Sequence, residues 1–392
     1  MVRRGVSRWV LASVALALGL LVGCSSDEDS TTPTVPRRDT VPLAYENPIG
    51  IAVDAAHGRA LVLHGREASS GPAIELVDIE DRSLVGSSIL DYYDVWDVEF
   101  LSAGEGCFAG QPQGNIGYAV QFFSLPDLQL TTRVLTSTTI GGTHGYLAVD
   151  SAGGCVYTSH AGTPQGGAVF KVLVSSKSLA DADDDGLAPF SLDDSLVQGL
   201  FNQPARVGFD GGAGKLVVGN RGDDFITIVD GSIWGTLHRG VGLTFPVPGT
   251  SHLSTVSGGL NGIRPEAMTG SDGIFVFAGT ASSTPYLARF GSASNGLDFV
   301  ESFPGVAWRF RNSDLVIHPR QDIFSVFVPQ HDSTGYGMQA YRLNNLRPVE
   351  ASPYHMLTMA DSSISAVAVD VLHDRLVVGS SMEPRLELVD IR

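Results

Sequence analysis

Cysteine is scarce: only three occur in 392 residues, at Cys24, Cys107 and Cys155. That is too few for a disulfide framework to hold the chain together, so a packed core must do so. Positive charge is also scarce, with 25 Lys and Arg against 42 Asp and Glu and a formal net charge of −17. Phosphate backbones should repel such a body, which argues against nucleic acid as a partner. The longest apolar run, Trp9 to Val22, is too short for a comfortable membrane span. The sequence also lacks Gly-x-Ser-x-Gly, His-Glu-x-x-His, Cys-x-x-Cys-His and phosphate-loop motifs. The familiar nucleophile elbow, zincin, haem and nucleotide chemistries are therefore not signalled.

What is present begins with a sorting segment. Arg3, Arg4 and Arg8 form a positive n-region ahead of the apolar run, which ends in Leu21-Val22-Gly23-Cys24. These four residues resemble a bacterial lipobox, the alternative being an ordinary signal peptide with an incidental cysteine. The resemblance implies cleavage before Cys24, lipidation of its thiol and a membrane anchor. Ser25 follows the cysteine. By the family's sorting rule it implies the outer membrane of a Gram-negative envelope, with the body on the periplasmic or surface face. Residues 24–38 are rich in Ser, Thr, Asp and Pro and read as a solvated tether. The expected organisation is a signal peptide over 1–23, a tether over 24–38 and a folded body over 39–392.

The body repeats. GIAVDAAHGRALVLHG followed by AIELVDI, YLAVDSAGGCVYTSHAG, ARVGFDGGAGKLVVGNRGDDFITIVDG and AVAVDVLHDRLVVGSSMEPRLELVDI share one plan. A strand ends in Asp, a turn with Gly or Asp follows, and Val-rich strands come next. Weaker copies near Val98, Glu266 and Leu315 bring the count to about seven, at spacings of roughly 47 to 60 residues. Small sheets with two sticky faces bury them best by packing radially. Leu216 to Asp230, LVVGNRGDDFITIVD, resembles the YVTN-type β-propeller repeat, with its Asn-x-Gly turn between strands two and three. The implied fold is an all-β, seven-bladed propeller. The last unit shows three strands, and Asp39 to Tyr45 is positioned to supply its fourth and close the ring.

In such propellers, ligands sit in a funnel formed by the loops before strand one and between strands two and three. His64, His160 and His331 fall at corresponding ends of strand two, and His144 precedes a first strand. Converging imidazoles would hold a transition metal; separate ones would simply hydrogen-bond or face water. Arg264 lies in the same set of loops, and Trp308, Arg309 and Arg311 interleave aromatic and basic character. That composition suits anionic or sugar ligands, and an ordinary strand also explains it.

Asp181, Asp183 and Asp185 followed by Gly186 have the spacing of an EF-hand-like calcium loop, but position twelve is Leu192 instead of Glu. The readings are structural calcium or a solvated acidic loop. Cys107 and Cys155 open second strands of adjacent units, at an expected separation of about 10 Å, beyond the roughly 7 Å limit for a disulfide. Two buried free thiols are expected. Asp97 and Glu99 alternate onto one face of a strand, as a carboxylate pair or a polar rim. The expected function is a monomeric, lipid-anchored binding or scaffolding module for a protein, peptide or glycan. The alternative is a lactonase-like metal-dependent hydrolase or lyase using the funnel.

Overall fold

The computed structural model describes residues 38–114, 117–137, 145–161, 168–180, 203–220, 226–230, 251–252, 264–271, 273–281, 284–291, 296–302, 315–318, 325–332, 335–342, 364–381 and 383–391. Over these residues the chain is all-β. Residues 1–37, which hold the expected signal peptide and all but the last residue of the expected tether, together with His144, the Asp181–Asp185 loop, Trp308, Arg309 and Arg311, lie outside the described residues. Arg264 and His331 are described in backbone only.

Seven antiparallel sheets follow one another along the chain. After a lone strand β1 (Arg38–Pro42), the first sheet contains β2 (Pro48–Asp54), β3 (Arg59–His64), β4 (Ala73–Asp78) and β5 (Ser83–Ile89). The second contains β6 (Tyr92–Ser102), β7 (Glu105–Pro112), β8 (Tyr118–Ser124) and β9 (Leu130–Ser137). The third contains β10 (Leu147–Asp150), β11 (Cys155–His160), β12 (Ala168–Leu173) and β13 (Ser178–Leu179). The fourth contains β14 (Pro204–Asp210), β15 (Lys215–Asn220), β16 (Ile226–Asp230) and β17 (Ser251–His252). The fifth contains β18 (Arg264–Ser271), β19 (Ile274–Ala281), β20 (Thr284–Gly291) and β21 (Gly296–Ser302). The sixth has three described strands, β22 (Val316–His318), β23 (Ser325–Asp332) and β24 (Gly335–Arg342). The seventh contains β25 (Ile364–Asp370), β26 (Arg375–Ser380) and β27 (Arg385–Asp390), with β1 as its fourth strand.

The repeated Asp has a local cause. Its carboxylate closes the turn between the first two strands of a sheet by accepting backbone N–H groups. Asp150 accepts from Gly153 N at 2.8 Å, and Asp210 from Gly212 N and Ala213 N at 3.0 and 3.1 Å. Asp370 accepts from Leu372 N and His373 N at 3.2 and 3.3 Å. Four residues after each Asp the backbone turns left-handed, with φ of 62° at Gly58, 62° at Gly154, 65° at Gly214 and 51° at Asp374. Glycine costs nothing there, and Asp is among the few side chains that tolerate it.

Packing explains why the second strands are apolar without alternation: both faces are buried. Leu61 and Leu63 of β3 pack with Tyr92, Val98 and Phe108 of the second sheet. Their neighbours Ala60 and Val62 point the other way, into a core with Val377, Leu386 and Leu388 of the seventh. Cys107, Val120 and Phe122 meet Leu147, Val156 and Phe170 in the same manner. First strands contact in chain order, β2 on β6, β6 on β10, β10 on β14, β14 on β18, β18 on β22 and β22 on β25, and β25 also contacts β2. At this last seam a Cβ on Gly379 would stand 2.6 Å from Pro48 Cγ, so only glycine admits so close an approach.

The closing strand differs in extent from the expectation. β1 begins at Arg38, inside the expected tether, and ends at Pro42, with Arg38 opposite Val389 and Pro42 opposite Arg385. One further backbone bond runs from Leu43 N to Pro384 O at 2.8 Å, and Pro384 has no N–H to return the bond to Leu43 O, so the ladder stops there. Val41 is completely buried. An ion pair of 2.8 Å between Arg82 and Asp39 ties the strand to the first sheet.

Candidate functional site

The first strands of six of the seven sheets, all but β18, contribute residues to the lining of a cavity of about 260 Å³. Its polar lining is Asp97 and Glu99 from β6, Tyr146 at the entry to β10 and Arg206 from β14. The aliphatic lining includes Ile51 and Val53 of β2, Leu315 and Val316 at β22, and Val367 and Val369 of β25.

Each polar group is placed by its strand. β6 carries register shifts at Tyr92/Asp94, Val95/Asp97 and Phe100/Ser102, which bend it and re-aim its side chains. Asp97 is held at both oxygens, accepting from Val98 N at 3.0 Å and from Leu147 N of the next sheet at 2.9 Å. Arg206 is buried, and its guanidinium carbon lies 3.5 Å from the centre of the Tyr146 ring. This stacking orients the planar cation and offsets part of its desolvation. The negative charges of Glu99 and Asp97 also reach the Cys107 thiol. Burial first, and then these carboxylates, push its pKa well above the ordinary value.

Arg206 and Tyr146 escaped the sequence reading, yet the repeat contains a signal for them. Counted four residues back from the turn Asp, the copies place Gly50, Tyr146, Arg206 and Ala366 at one position. A charged residue there, inside an otherwise apolar first strand, marks the cavity wall.

Of the four histidines that could converge or stand apart, the two whose side chains are described meet different partners. His64 is fully buried, with Nδ1 donating to the Glu46 carbonyl at 2.9 Å and Nε2 3.4 Å from the Glu75 carboxylate. Glu75 in turn accepts from Ala44 N at 2.7 Å, so this pair locks the chain where it leaves β1. His160 is buried elsewhere, against Tyr118 and Phe170, and shares a 2.7 Å hydrogen bond with Thr136. Its burial lowers its pKa from 6.5 to about 3, keeping the ring neutral.

Among the described residues, one trio brings metal-type ligand atoms within 4.8 Å of one another: Glu80, Asp370 and His373. Arg375 already bridges Glu80 and Asp370, and His373 Nδ1 is 2.8 Å from Asp370 Oδ2. This is an ion-pair network closing the turn beside the first sheet. Cys107 and Cys155 are free and buried, as the spacing of their strands implied.

No protein-family model and no curated protein matches this sequence.

Proposed function

We propose that the chain is a lipid-anchored, extracytoplasmic seven-bladed β-propeller of the YVTN type. On this reading it is a non-enzymatic binding module whose ligand enters the cavity among the first strands. The observation that carries the reading is the cavity itself. Its wall joins the buried Arg206 and the half-buried carboxylates Asp97 and Glu99 to aliphatic side chains, the composition of a small-ligand site. The propeller reading draws support from the order of first-strand contacts and from the pairing of β1 with β27. The anchor draws support from the Arg-rich start and the Leu21-Val22-Gly23-Cys24 run, and outer-membrane sorting from Ser25. On this reading the lipid holds the ring at its closing strand, because the tether leads into β1.

The test is fractionation of bacteria producing the wild-type chain or Cys24→Ala. Wild type is expected in the membrane fraction and labelled by palmitate. The variant should be unlabelled, with an unchanged melting temperature. Label retained by the variant would overturn the anchor.

A second reading, a metal-dependent hydrolase or lyase, is favoured by the shared orientation of Asp97 and Glu99 toward the cavity. Metal analysis of the purified chain separates the two. A stoichiometric transition metal that is lost in Asp97→Asn supports the hydrolase, and metal content indifferent to that change supports the binding module.

A further inference from the structure

We propose that β5 (Ser83–Ile89), the outermost strand of the first sheet, pairs edge to edge with β5 of a second copy of this chain. The product is a twofold dimer, in place of the monomer expected from the sequence, in which the two first sheets become one. Sheet edges present unpaired N–H and C=O groups, and proteins blunt them with charge, with proline or by keeping them very short. The outermost strands of the other four-stranded sheets do so. β1 contains Arg38 and Pro42, β9 contains Arg133, β21 contains Asp298 and Glu301, and β13 and β17 have two residues each. β5, with the sequence SLVGSSI, runs for seven residues with neither charge nor proline.

Its free groups can be located. Leu90, just past the strand, donates its N–H to Pro72 O at 2.9 Å. The Pro72/Leu90 pair is therefore of the hydrogen-bonded kind, and the alternate pairs Ala73/Ile89 and Glu75/Ser87 are not. The N–H and C=O groups of Ser87 and Ile89 point away from β4, to an edge where no described strand lies. The bulge in the β4–β5 ladder falls beside Val85, so Gly86 to Ile89 form the regular part of this edge. Ser83, Val85, Ser87 and Ile89 share the exposed face, with Val85 45% and Ile89 61% exposed. Together with Tyr93 these two are three of the four large exposed apolar side chains among the described residues. The reverse face is taken, because a Cβ on Gly86 would stand 3.4 Å from the Pro126 carbonyl oxygen of the second sheet.

A second copy is the occupant this strand fits. An antiparallel strand can be its own complement under a twofold axis. Centred on Ser87, the pairing sets Val85 of one copy opposite Ile89 of the other, twice, and the two Ser87 residues opposite each other. The outward-directed groups of Ser87 then meet, and the exposed faces stay on one side of the joined sheet. A slip of one residue would set exposed side chains against covered ones. A slip of two sets Val85 opposite Ser87 or Asp91 and separates the aliphatic pair. In the Ser87 register no like charges are opposed from Ser83 to Asp91.

The test places single cysteines on β5 of the full chain purified in detergent. Cys24→Ala is included so that the added thiol is the accessible one, since Cys107 and Cys155 are buried. In the proposed register the two Ser87 Cα atoms stand about 5.5 Å apart, and the two Ile89 Cα atoms at least about 14 Å. A short bis-thiol reagent should join Ser87→Cys into a dimer and fail with Ile89→Cys. Mixing Val85→Cys with Ile89→Cys should restore the joined dimer. Light scattering, after subtraction of bound detergent, should give twice the chain mass. Ser87→Lys, which opposes two ammonium groups, should weaken the dimer at least about ten-fold with the circular dichroism unchanged. If that variant does not fold, Ile89→Lys sets a lysine against Val85 and carries the same expectation.

A chain monomeric throughout, or a dimer untouched by either lysine, would overturn the proposal. Ile89→Cys joining as readily as Ser87→Cys would overturn the twofold pairing about Ser87. In bacteria producing Ser87→Cys, an adduct with a different protein in place of a second copy would give the edge to another chain and overturn the dimer.

Discussion

Lowering the pH from 7 to 5 should cost this protein about 2 kcal/mol through His160 alone. The imidazole is 4% exposed. Burial lowers its pKa from the ordinary 6.5 to about 3. The unfolded chain therefore binds a proton below about pH 6.5, and the folded chain refuses it until about pH 3. Where the unfolded state holds more protons, stability falls as pH falls, by about 1.4 kcal/mol per unit across that window. Below the folded pKa the slope vanishes. The assay is urea unfolding followed by tryptophan fluorescence at both pH values, for wild type and for His160→Gln, whose amide keeps a polar atom near Thr136. Other titrating groups cancel in the difference. Wild type should lose about 2 kcal/mol more than the variant. Equal losses would refute the argument and place the acid sensitivity elsewhere.

Two other perturbations address closure and the thiols. Deleting residues 24–37 should leave the melting temperature unchanged. Deleting Arg38–Pro42 should lower it, because the β27 edge and the core that receives Val41 would be exposed; Val41→Ala alone should cost about 2 kcal/mol by chemical denaturation. Unchanged stability on removing Arg38–Pro42 would contradict a structural clasp. With Cys24 replaced by alanine, the denatured chain should titrate for two thiols, Cys107 and Cys155. At pH 8 the same variant in its native state should titrate for none, since burial raises both pKa values and blocks access. Rapid reaction of either thiol in the native state would refute the packing described here.

The sequence by itself determined what is local. The Asp-to-Gly turn is legible because a carboxylate three residues away satisfies backbone N–H groups and glycine tolerates the left-handed position that follows. Apolar runs such as ALVL and LVVG report burial on both faces, and that sufficed for the all-β class and for small sheets in series. The fourth strand of the last sheet was legible too, because an incomplete unit and an unassigned strand-like segment complement each other. Its exact span was not, since Pro384 ends the ladder opposite Leu43, and that is visible only once the register against β27 is known.

Tertiary structure alone decided what each polar side chain meets. His64 and His160 occupy the same repeat position, yet one closes on Glu75 and the other on Thr136. Their surroundings come from different neighbouring segments, so repeat alignment could not tell a converging ring from separate buried contacts. Arg206 and Tyr146 share another position, one sheet apart, and only the close packing of first strands brings guanidinium and ring face to face. The repeat dictates the strands; distances between sheets, which no local pattern encodes, dictate the site.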